Sequence, residues 1–310
     1  MGVFVFLPLV LPLTAWPVAR LAEQHLHPRA ATRLLTGVAV VMAVCSTVCL
    51  ALVMVVGTAQ LPGNPLPDGW SDPEVRAAVP YDEVVGKAAI PALCVVLAAC
   101  GRTLRRHGRV RRRAHRALAG LPETEVAVLP DGVPYAYALP GGRRDRVVVT
   151  TALLDSLEPA ERRALFAHER AHLTGRHHRF LLAARLAAQA NPFLRPLRTA
   201  VSYTTERWAD EEAAQVVGSR RTVAYAIGKA ALVSRGTPVA TLAGFAAAGP
   251  VPRRVAALLR PAPAGRSWPS LFTSVGLAAW GAAVGAAVSA MSSANAAVTM
   301  VLILYAATPL

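Results

Sequence analysis

Two histidines and a glutamate within the stretch His168-Glu169-Arg170-Ala171-His172 have the types and spacing that metal chemistry needs. Histidines four residues apart share one face of a helix, so their imidazoles can bind one Zn²⁺ together. A glutamate beside the first histidine can accept a proton from a water that the metal activates. The stretch therefore predicts two zinc ligands, His168 and His172, and a general base, Glu169. The alternative is a helix with two solvated histidines.

A third ligand is expected from the acidic stretch at 204–213, because a catalytic zinc site has three protein ligands and one open position. Glu206 and Asp210 share a face if this stretch is helical. We expect Glu206 to ligate the metal and Asp210 to accept the N–H of a ligating histidine. Glu211 and Glu212 are predicted to be solvated. The alternative is an acidic surface helix without a metal.

Stabilisation of an oxyanion would need a further hydrogen-bond donor. Tyr203, His177 and His178 are the candidates in the sequence, and nothing in the sequence ranks them. For the two histidines, an ordinary surface position is the simpler interpretation.

The elements that would position these groups can be predicted from local signals. Glu158, Pro159 and Glu161 are typical of a helix start, which leads into His168. We expect the strand at 146–150 to border the cleft, so that an extended protein or peptide substrate could add to it by main-chain hydrogen bonds.

The composition indicates a membrane protein, since 54% of the 310 residues are hydrophobic and only 16% are charged. Apolar stretches at 3–19, 34–58, 84–101 and 271–291 predict about four spans. A short apolar stretch at 295–308 could lengthen the last span, return as a hairpin or lie at the membrane surface. We expect the stretch at 3–19 to be a retained helix rather than a cleaved signal peptide.

The positive charge is explained by membrane topology. The formal net charge is +15, and the densest run, Arg102–Arg116, directly follows an apolar stretch. Basic residues in that place usually flank a membrane helix on the cytoplasmic side, so we expect no nucleic-acid partner. Acidic residues dominate the loop at 60–83, and basic residues precede both the second and the last span. This alternation predicts an N-terminus outside and a cytoplasmic lobe.

The predicted fold class is an α-helical membrane bundle with an inserted α+β, mostly helical peptidase lobe. Residues 1–101 are expected to form three membrane helices, and 102–120 a basic cytoplasmic linker. Residues 121–265 are expected to form the zinc-binding lobe, and 266–310 a C-terminal membrane region. Charged residues surround the histidine stretch, which argues against a site inside the hydrocarbon.

The residues of the predicted site resemble those of the gluzincins, the zinc peptidases whose third ligand is a glutamate. Tyr135–Gly142 and Val147–Leu154 are similar to the strands before the zinc helix in these enzymes. Asn191-Pro192 resembles a motif of the BlaR/MecR-type beta-lactam-sensing membrane receptors, metallopeptidase family 56, as do three spans before the lobe and one after it. Only about 20 residues follow the last span, so we expect no penicillin-binding sensor domain of the kind that these receptors carry.

The resemblance implies a cell-membrane, multi-pass endopeptidase with one Zn²⁺ per chain, which cleaves itself or a cytoplasmic partner such as a transcriptional repressor. The chain departs from the receptor family in its wholly basic stretch Arg176–Arg179, where an acid is often found. Two alternatives remain. One is a quality-control membrane protease of the HtpX and Ste24 type, and the other is a membrane signalling scaffold without catalytic activity.

Overall fold

The computed structural model of the chain describes residues 5–141, 144–234, 251–263, 270 and 272–308. These residues form a helical membrane bundle and a mostly helical lobe with a small sheet. In chain order, the elements are α1 (Leu7–Val10), a 3₁₀ turn (Leu11–Thr14), α2 (Ala15–His25), α3 (Pro28–Ala59), a 3₁₀ turn (Asp68–Ser71), α4 (Pro73–Ala77), α5 (Asp82–Ala117), β1 (Val126–Leu129), β2 (Ala136–Leu139), β3 (Arg146–Thr150), α6 (Thr151–Ser156), α7 (Pro159–Thr174), α8 (His177–Ala190), a 3₁₀ turn (Pro192–Leu194), α9 (Arg195–Val217), α10 (Arg220–Val233), α11 (Val251–Leu258) and α12 (Ser274–Ala306).

Within the described residues, three helices are long and apolar enough to cross a membrane, namely α3, α5 and α12. The predicted first span is instead a broken helix, because the prolines inside it remove backbone N–H donors. This segment packs along α3. Val5 shares one hydrophobic cluster with Val56 of α3, and Ala22 shares a second cluster with Leu35 of α3. The predicted bundle of about four spans therefore contains three continuous helices and one broken segment. Residues 1–4 lie outside the described part.

The last two apolar stretches of the sequence form one helix, α12. Of the three alternatives for 295–308, a lengthened last span is the one that the structure shows. Ser293 lies inside this helix, where its hydroxyl donates to the carbonyl of Ala290 at 3.0 Å. Polar residues between two apolar stretches therefore do not end the helix, because their side chains can bond to its own backbone.

Close contact between α3 and α5 depends on two glycines. Gly57 and Gly86 face each other, and a Cβ on either residue would overlap the backbone of the other. Small residues at such crossings allow membrane helices to approach closely. The basic run Arg102–Arg116, predicted to be a linker, continues α5 as a helix to Ala117.

The sheet has the strand order β1-β3-β2 among the described residues, so β3 is its central strand. The prediction that residues 146–150 form the open border of the cleft is therefore wrong. β3 pairs in parallel with β1 and antiparallel with β2, which leaves β2 at an edge. Since Thr150 N donates to Tyr135 O, alternation along the antiparallel pair turns the N–H groups of Ala136 and Ala138 away from β3.

The lobe and the bundle share a core. Leu194, Leu197 and Val201 at the start of α9 are completely buried, in one cluster with Leu35 and Ala39 of α3. A second cluster joins α7, α10 and the end of α9 behind the histidine stretch. Two helices that carry predicted site residues, α7 and α9, are thus held by packing on both sides. The segment 235–250, within the predicted lobe, lies outside the described residues, as do Gly142 and Arg266.

Candidate metal centre

The helix α7 holds both histidines of the predicted site on one buried face. Its start is fixed by Glu161, whose carboxylate accepts the N–H of Glu158 at 2.8 Å. One turn before His168, Ala164 and Leu165 are fully buried and anchor the helix in the lobe. The two imidazoles meet with their Nε2 atoms 3.0 Å apart. Both Nε2 atoms are therefore available to one common point.

The predicted third ligand reaches the same point from α9. Glu206 Oε2 lies 3.4 Å from His168 Nε2, and Glu206 Oε1 lies 3.5 Å from His172 Nε2. One ligand atom from each of the three residues lies within 4.8 Å of the ligand atoms of the other two, and all three side chains are buried. Two imidazole nitrogens and a carboxylate oxygen are the donor set of a catalytic zinc site. The described residues therefore fit a zinc ion.

The side chain of Asp210 lies behind the first histidine, as predicted. Its Oδ1 is 3.1 Å from His168 Nδ1, on the opposite side of the ring from the common point. A carboxylate in this place fixes the tautomer and orientation of a ligating imidazole. The structure thus assigns the Nδ1–H of His168 to Asp210, and the Nε2 atom of His168 faces His172 and Glu206.

Arg254 is the residue of the site that sequence reasoning missed. It is completely buried, and it donates two hydrogen bonds to Asp210, at 2.6 and 2.9 Å. Its Nη1 also lies 3.1 Å from Glu206 Oε2. Arg254 is far from α9 in the sequence and belongs to a pair of arginines that resembles an ordinary membrane flank. No local signal distinguishes it, since its role depends on the packing of α11 against α9.

The charges of the site favour a cation between Glu206 and Asp210. Burial would lower the pKa of His168, but hydrogen bonds to Asp210 and Glu206 raise it to about 9. Burial would likewise raise the pKa of both carboxyls. The charges of His172 and Arg254 nevertheless hold the pKa of Glu206 well below its usual range, and Arg254 lowers that of Asp210 to about 2. A metal ion can replace the proton that this arrangement stabilises.

The predicted general base is poised beside the common point. Glu169 is 1% exposed, and burial raises the pKa of its carboxyl. The backbone N–H of Ala138 on β2 hydrogen-bonds to this carboxylate. The Oε1 atom of Glu169 is buried and has no hydrogen-bond partner among the described residues. A buried acceptor without a partner is costly, and a water in the site would satisfy it.

His177 was expected at the surface or as an oxyanion donor, but it is completely buried. Its Nδ1 lies 2.9 Å from the Nδ1 of His172, and its ring packs on Trp208 with centroids 4.4 Å apart. Burial and the charge of His172 lower the pKa of His177 to about 2. A neutral His177 can therefore accept the Nδ1–H of His172 and orient this ring, much as Asp210 orients His168.

A tight turn between α7 and α8 places His177 next to His172. Arg176 takes a left-handed conformation with φ of 51°, and a Cβ on Gly175 would overlap the His177 ring. His178 points elsewhere and is partly exposed, and burial together with the charge of Arg111 lowers its pKa to about 4. The Tyr203 ring lies under the guanidinium of Arg253, 4.0 Å from it. The structure brings His177 alone of the three predicted oxyanion candidates into hydrogen-bond contact with a predicted metal ligand.

The prediction that Glu211 is solvated is wrong. Glu211 is 6% exposed and forms ion pairs with Arg207 and Arg220. Glu212 accepts a hydrogen bond from the indole N–H of Trp208 at 2.5 Å. Both acids stabilise the packing of α9 rather than the metal site, because they lie on other faces of the helix.

Residues 102–194 match the family model described as Peptidase family M48. This segment includes His168, Glu169 and His172 and ends before Glu206. The chain is 42% identical over 71 residues to Protease HtpX homolog 2 of Methanosarcina mazei, which is 23% of this chain and 24% of that protein. It is 37% identical over 89 residues to the Protease HtpX homolog of Moorella thermoacetica, which is 28% of this chain and 29% of that protein.

The alignments thus cover about a quarter of the length of these curated relatives. No solved structure matches the chain. The matched segments are similar to proteins described as M48 peptidases and HtpX proteases, and the finer resemblance to the BlaR/MecR-type receptors is not confirmed. Of the functions considered from the sequence, the HtpX-type alternative agrees best with these matches.

Proposed function

We propose that this chain is a multi-pass membrane endopeptidase of the HtpX type, which uses one Zn²⁺ to cleave protein or peptide substrates. The observation that carries the proposal is the convergence of His168, His172 and Glu206 on one point, with Glu169 beside it. Neither nucleic acid nor a small molecule is expected as a substrate.

Zn²⁺ held by these three side chains would supply Lewis acidity and lower the pKa of a coordinated water. The chain's own residues do the rest. The Oε1 atom of Glu169 takes the proton of the attacking water, and the raised pKa of this carboxyl suits it to hold that proton. Glu169 then gives the proton to the leaving amine. Asp210 and His177 keep the two imidazoles in the tautomers that the metal needs.

The substrate is proposed to bind along β2 rather than β3. The N–H of Ala138 faces away from β3 and bonds to Glu169. The side of β2 that does not pair with β3 therefore lies next to the general base. An extended peptide that pairs with this edge would bring its carbonyl groups to the site in a fixed register. Such binding uses backbone atoms, which favours protein substrates over small molecules.

The orientation proposed from the loop charges places the lobe in the cytoplasm and the loop at 60–83 outside the cell membrane. In the structure, the basic end of α5 lies beside the lobe, where His115 is within 3.3 Å of the carbonyl of Pro140. This contact supports a topology in which the basic run after the third predicted span lies on the side of the lobe.

A second candidate function is regulatory cleavage, of the chain itself or of a cytoplasmic repressor, as the Asn191-Pro192 resemblance implies. One observation favours it. Asn191 donates a hydrogen bond to Ser46 in the membrane helix α3, at 3.0 Å, and only a short 3₁₀ turn separates it from the helix that carries Glu206. A change in the bundle could therefore reach the metal site through this contact.

The test compares membranes of cells that contain the wild type, Glu169→Gln or Glu161→Gln. Glu161 lies on the same helix and pairs with Lys229 away from the site, and a glutamine can keep its capping bond to Glu158, so its variant is a matched control. We expect both variants to retain one zinc per chain. New substrate fragments should appear with wild type and Glu161→Gln and be absent with Glu169→Gln.

The fragments would also separate the candidate functions. Many misfolded membrane proteins among the substrates would support quality control, whereas a single repressor or the chain itself would support regulation. Chains that contain no zinc would support the scaffold alternative and refute the peptidase. Full cleavage by Glu169→Gln would refute the role given to this residue.

A further inference from the structure

The helical hairpin formed by α8 and α9 reaches the middle of a membrane span. Its tip is the short turn that begins at Asn191, whose side-chain amide donates to the hydroxyl of Ser46 at 3.0 Å, with both residues buried. Ser46 lies at the centre of the apolar stretch 34–58, about 18 Å along α3 from either end of this stretch. Pro8 of the broken segment meets Ser46 at the same level, 2.7 Å from its hydroxyl.

A second contact fixes the depth of the other end of the hairpin. The hydroxyl of Thr32, near the start of α3, donates to that of Thr204 at 2.9 Å, and both residues are buried. Between these two hydrogen bonds, the 3₁₀ turn and α9 run antiparallel to α3 over nearly equal lengths of chain, from Asn191 to Thr204 and from Ser46 back to Thr32. The first turns of α9 therefore lie beside the apolar part of a membrane helix.

The surface of the tip is apolar and open. Phe193 is 52% exposed, and Pro192 beside it is exposed as well. The backbone of the turn is satisfied internally, since Asn191 accepts the N–H of Phe193 with its side chain and that of Leu194 with its carbonyl. Non-helical backbone at membrane depth requires such internal bonding. An exposed phenyl ring at this level would contact acyl chains rather than water.

The exposed charges of the hairpin helices are all positive. They are Arg179, Arg185, Arg195 and Arg198, of which Arg195 begins α9 two residues after Phe193. Arginines in this place can extend their guanidinium groups toward the headgroups while their stems cover apolar surface. Anionic headgroups would attract them further.

We propose that the tip of the α8–α9 hairpin is a re-entrant membrane element, inserted among the acyl chains of the leaflet on the lobe side. The apolar surface of the tip is continuous with the lipid-facing surface of the bundle, because the hairpin packs directly on α3. The proposal does not depend on peptidase activity. Glu206 lies about 20 Å along α9 from Phe193. If Phe193 is inserted in the membrane, the metal centre therefore lies at the membrane surface.

The test measures the depth of a spin label attached to a single cysteine. Cys45, Cys49, Cys94 and Cys100 are replaced by alanine, and Phe193→Cys is labelled in vesicles of phosphatidylcholine and phosphatidylglycerol. Tyr225→Cys is the matched control, because Tyr225 is 57% exposed on the lobe helix α10. Val288→Cys on α12, where the side chain is 42% exposed, provides a lipid-facing reference.

We expect oxygen to relax the label at 193 more strongly than a polar nickel complex does, as at 288, and the reverse at 225. The reference positions show whether each preparation is correctly inserted, and zinc content shows whether the lobe is folded. The proposal would be overturned if the nickel complex relaxed the label at 193 more strongly than oxygen, as at 225, in a preparation where oxygen relaxed the label at 288 more strongly. Zinc binding and cleavage could then still stand, since neither enters this measurement.

Discussion

The guanidinium of Arg254 donates two hydrogen bonds to the carboxylate of Asp210, at 2.6 and 2.9 Å, and both side chains are completely buried. Asp210 in turn lies 3.1 Å from Nδ1 of the predicted zinc ligand His168. A paired and hydrogen-bonded charge can be buried, whereas removal of one partner leaves an uncompensated charge. The orientation of His168 therefore depends on an arginine from a separate helix.

Replacing Arg254 with methionine should destabilise the lobe and weaken the metal site. We expect a loss of about 3–5 kcal/mol in stability from the unpaired carboxylate. Zinc affinity should fall about 10–100-fold, because Asp210 would no longer be fixed. Thermal unfolding and competition with a zinc chelator measure the two effects. Arg253→Met is the matched control, since the neighbouring arginine is partly exposed and pairs with Glu23. Similar zinc affinities in the two variants would contradict the role given to Arg254.

Removal of the metal should destabilise the lobe through Glu206. An ion present at about 1,000 times its dissociation constant stabilises the folded state by about 4 kcal/mol. A chelator should therefore lower the unfolding temperature of the wild type, and the unfolding temperature of Glu206→Gln should respond little to zinc. Glu212→Gln, six residues further along α9, should behave as the wild type, because Glu212 bonds to Trp208 instead. A full zinc response in Glu206→Gln would remove this residue from the ligand set.

The parts of the candidate site whose placement the sequence predicted are those that local spacing determines. His168, Glu169 and His172 lie on one helix turn, and Glu206 and Asp210 are separated by one turn of another helix. Their relative placement follows from helix geometry alone. That the two helices meet was a hypothesis from the chemistry of zinc, and the structure brings the three predicted ligands together.

The errors arose where packing decides the outcome. Glu211 and His177 have the polarity of surface residues, but both are buried. Glu211 forms ion pairs with Arg207 and Arg220, and the ring of His177 packs on Trp208. A strand's position in a sheet depends on its neighbours, so β3 could not be distinguished from an edge strand by its own residues. The broken first span was visible only as prolines, whose effect on a membrane segment depends on what packs beside it.

His177 should matter for zinc binding although it is expected not to contact the metal. His177→Ala removes the acceptor that orients His172, and we expect zinc affinity to fall about tenfold or more. His178→Ala is the control, since this side chain is partly exposed and turned away from the ligands. The d–d spectrum of the Co²⁺-substituted protein adds a readout of ligand geometry, which should change for His177→Ala only. Restoration of the wild-type spectrum by His177→Asn would support an acceptor role.

The edge of β2 should be needed for cleavage but not for metal binding. Ala138→Pro removes the N–H that bonds to Glu169 and blocks the pairing of a substrate strand with this edge. We expect cleavage to be lost while one zinc per chain remains. Val128→Pro is the matched control on β1, the other edge strand, where the parallel register turns the N–H of Val128 away from β3. Cleavage by Ala138→Pro at the level of Val128→Pro, with both lobes folded, would show that substrates do not bind along β2.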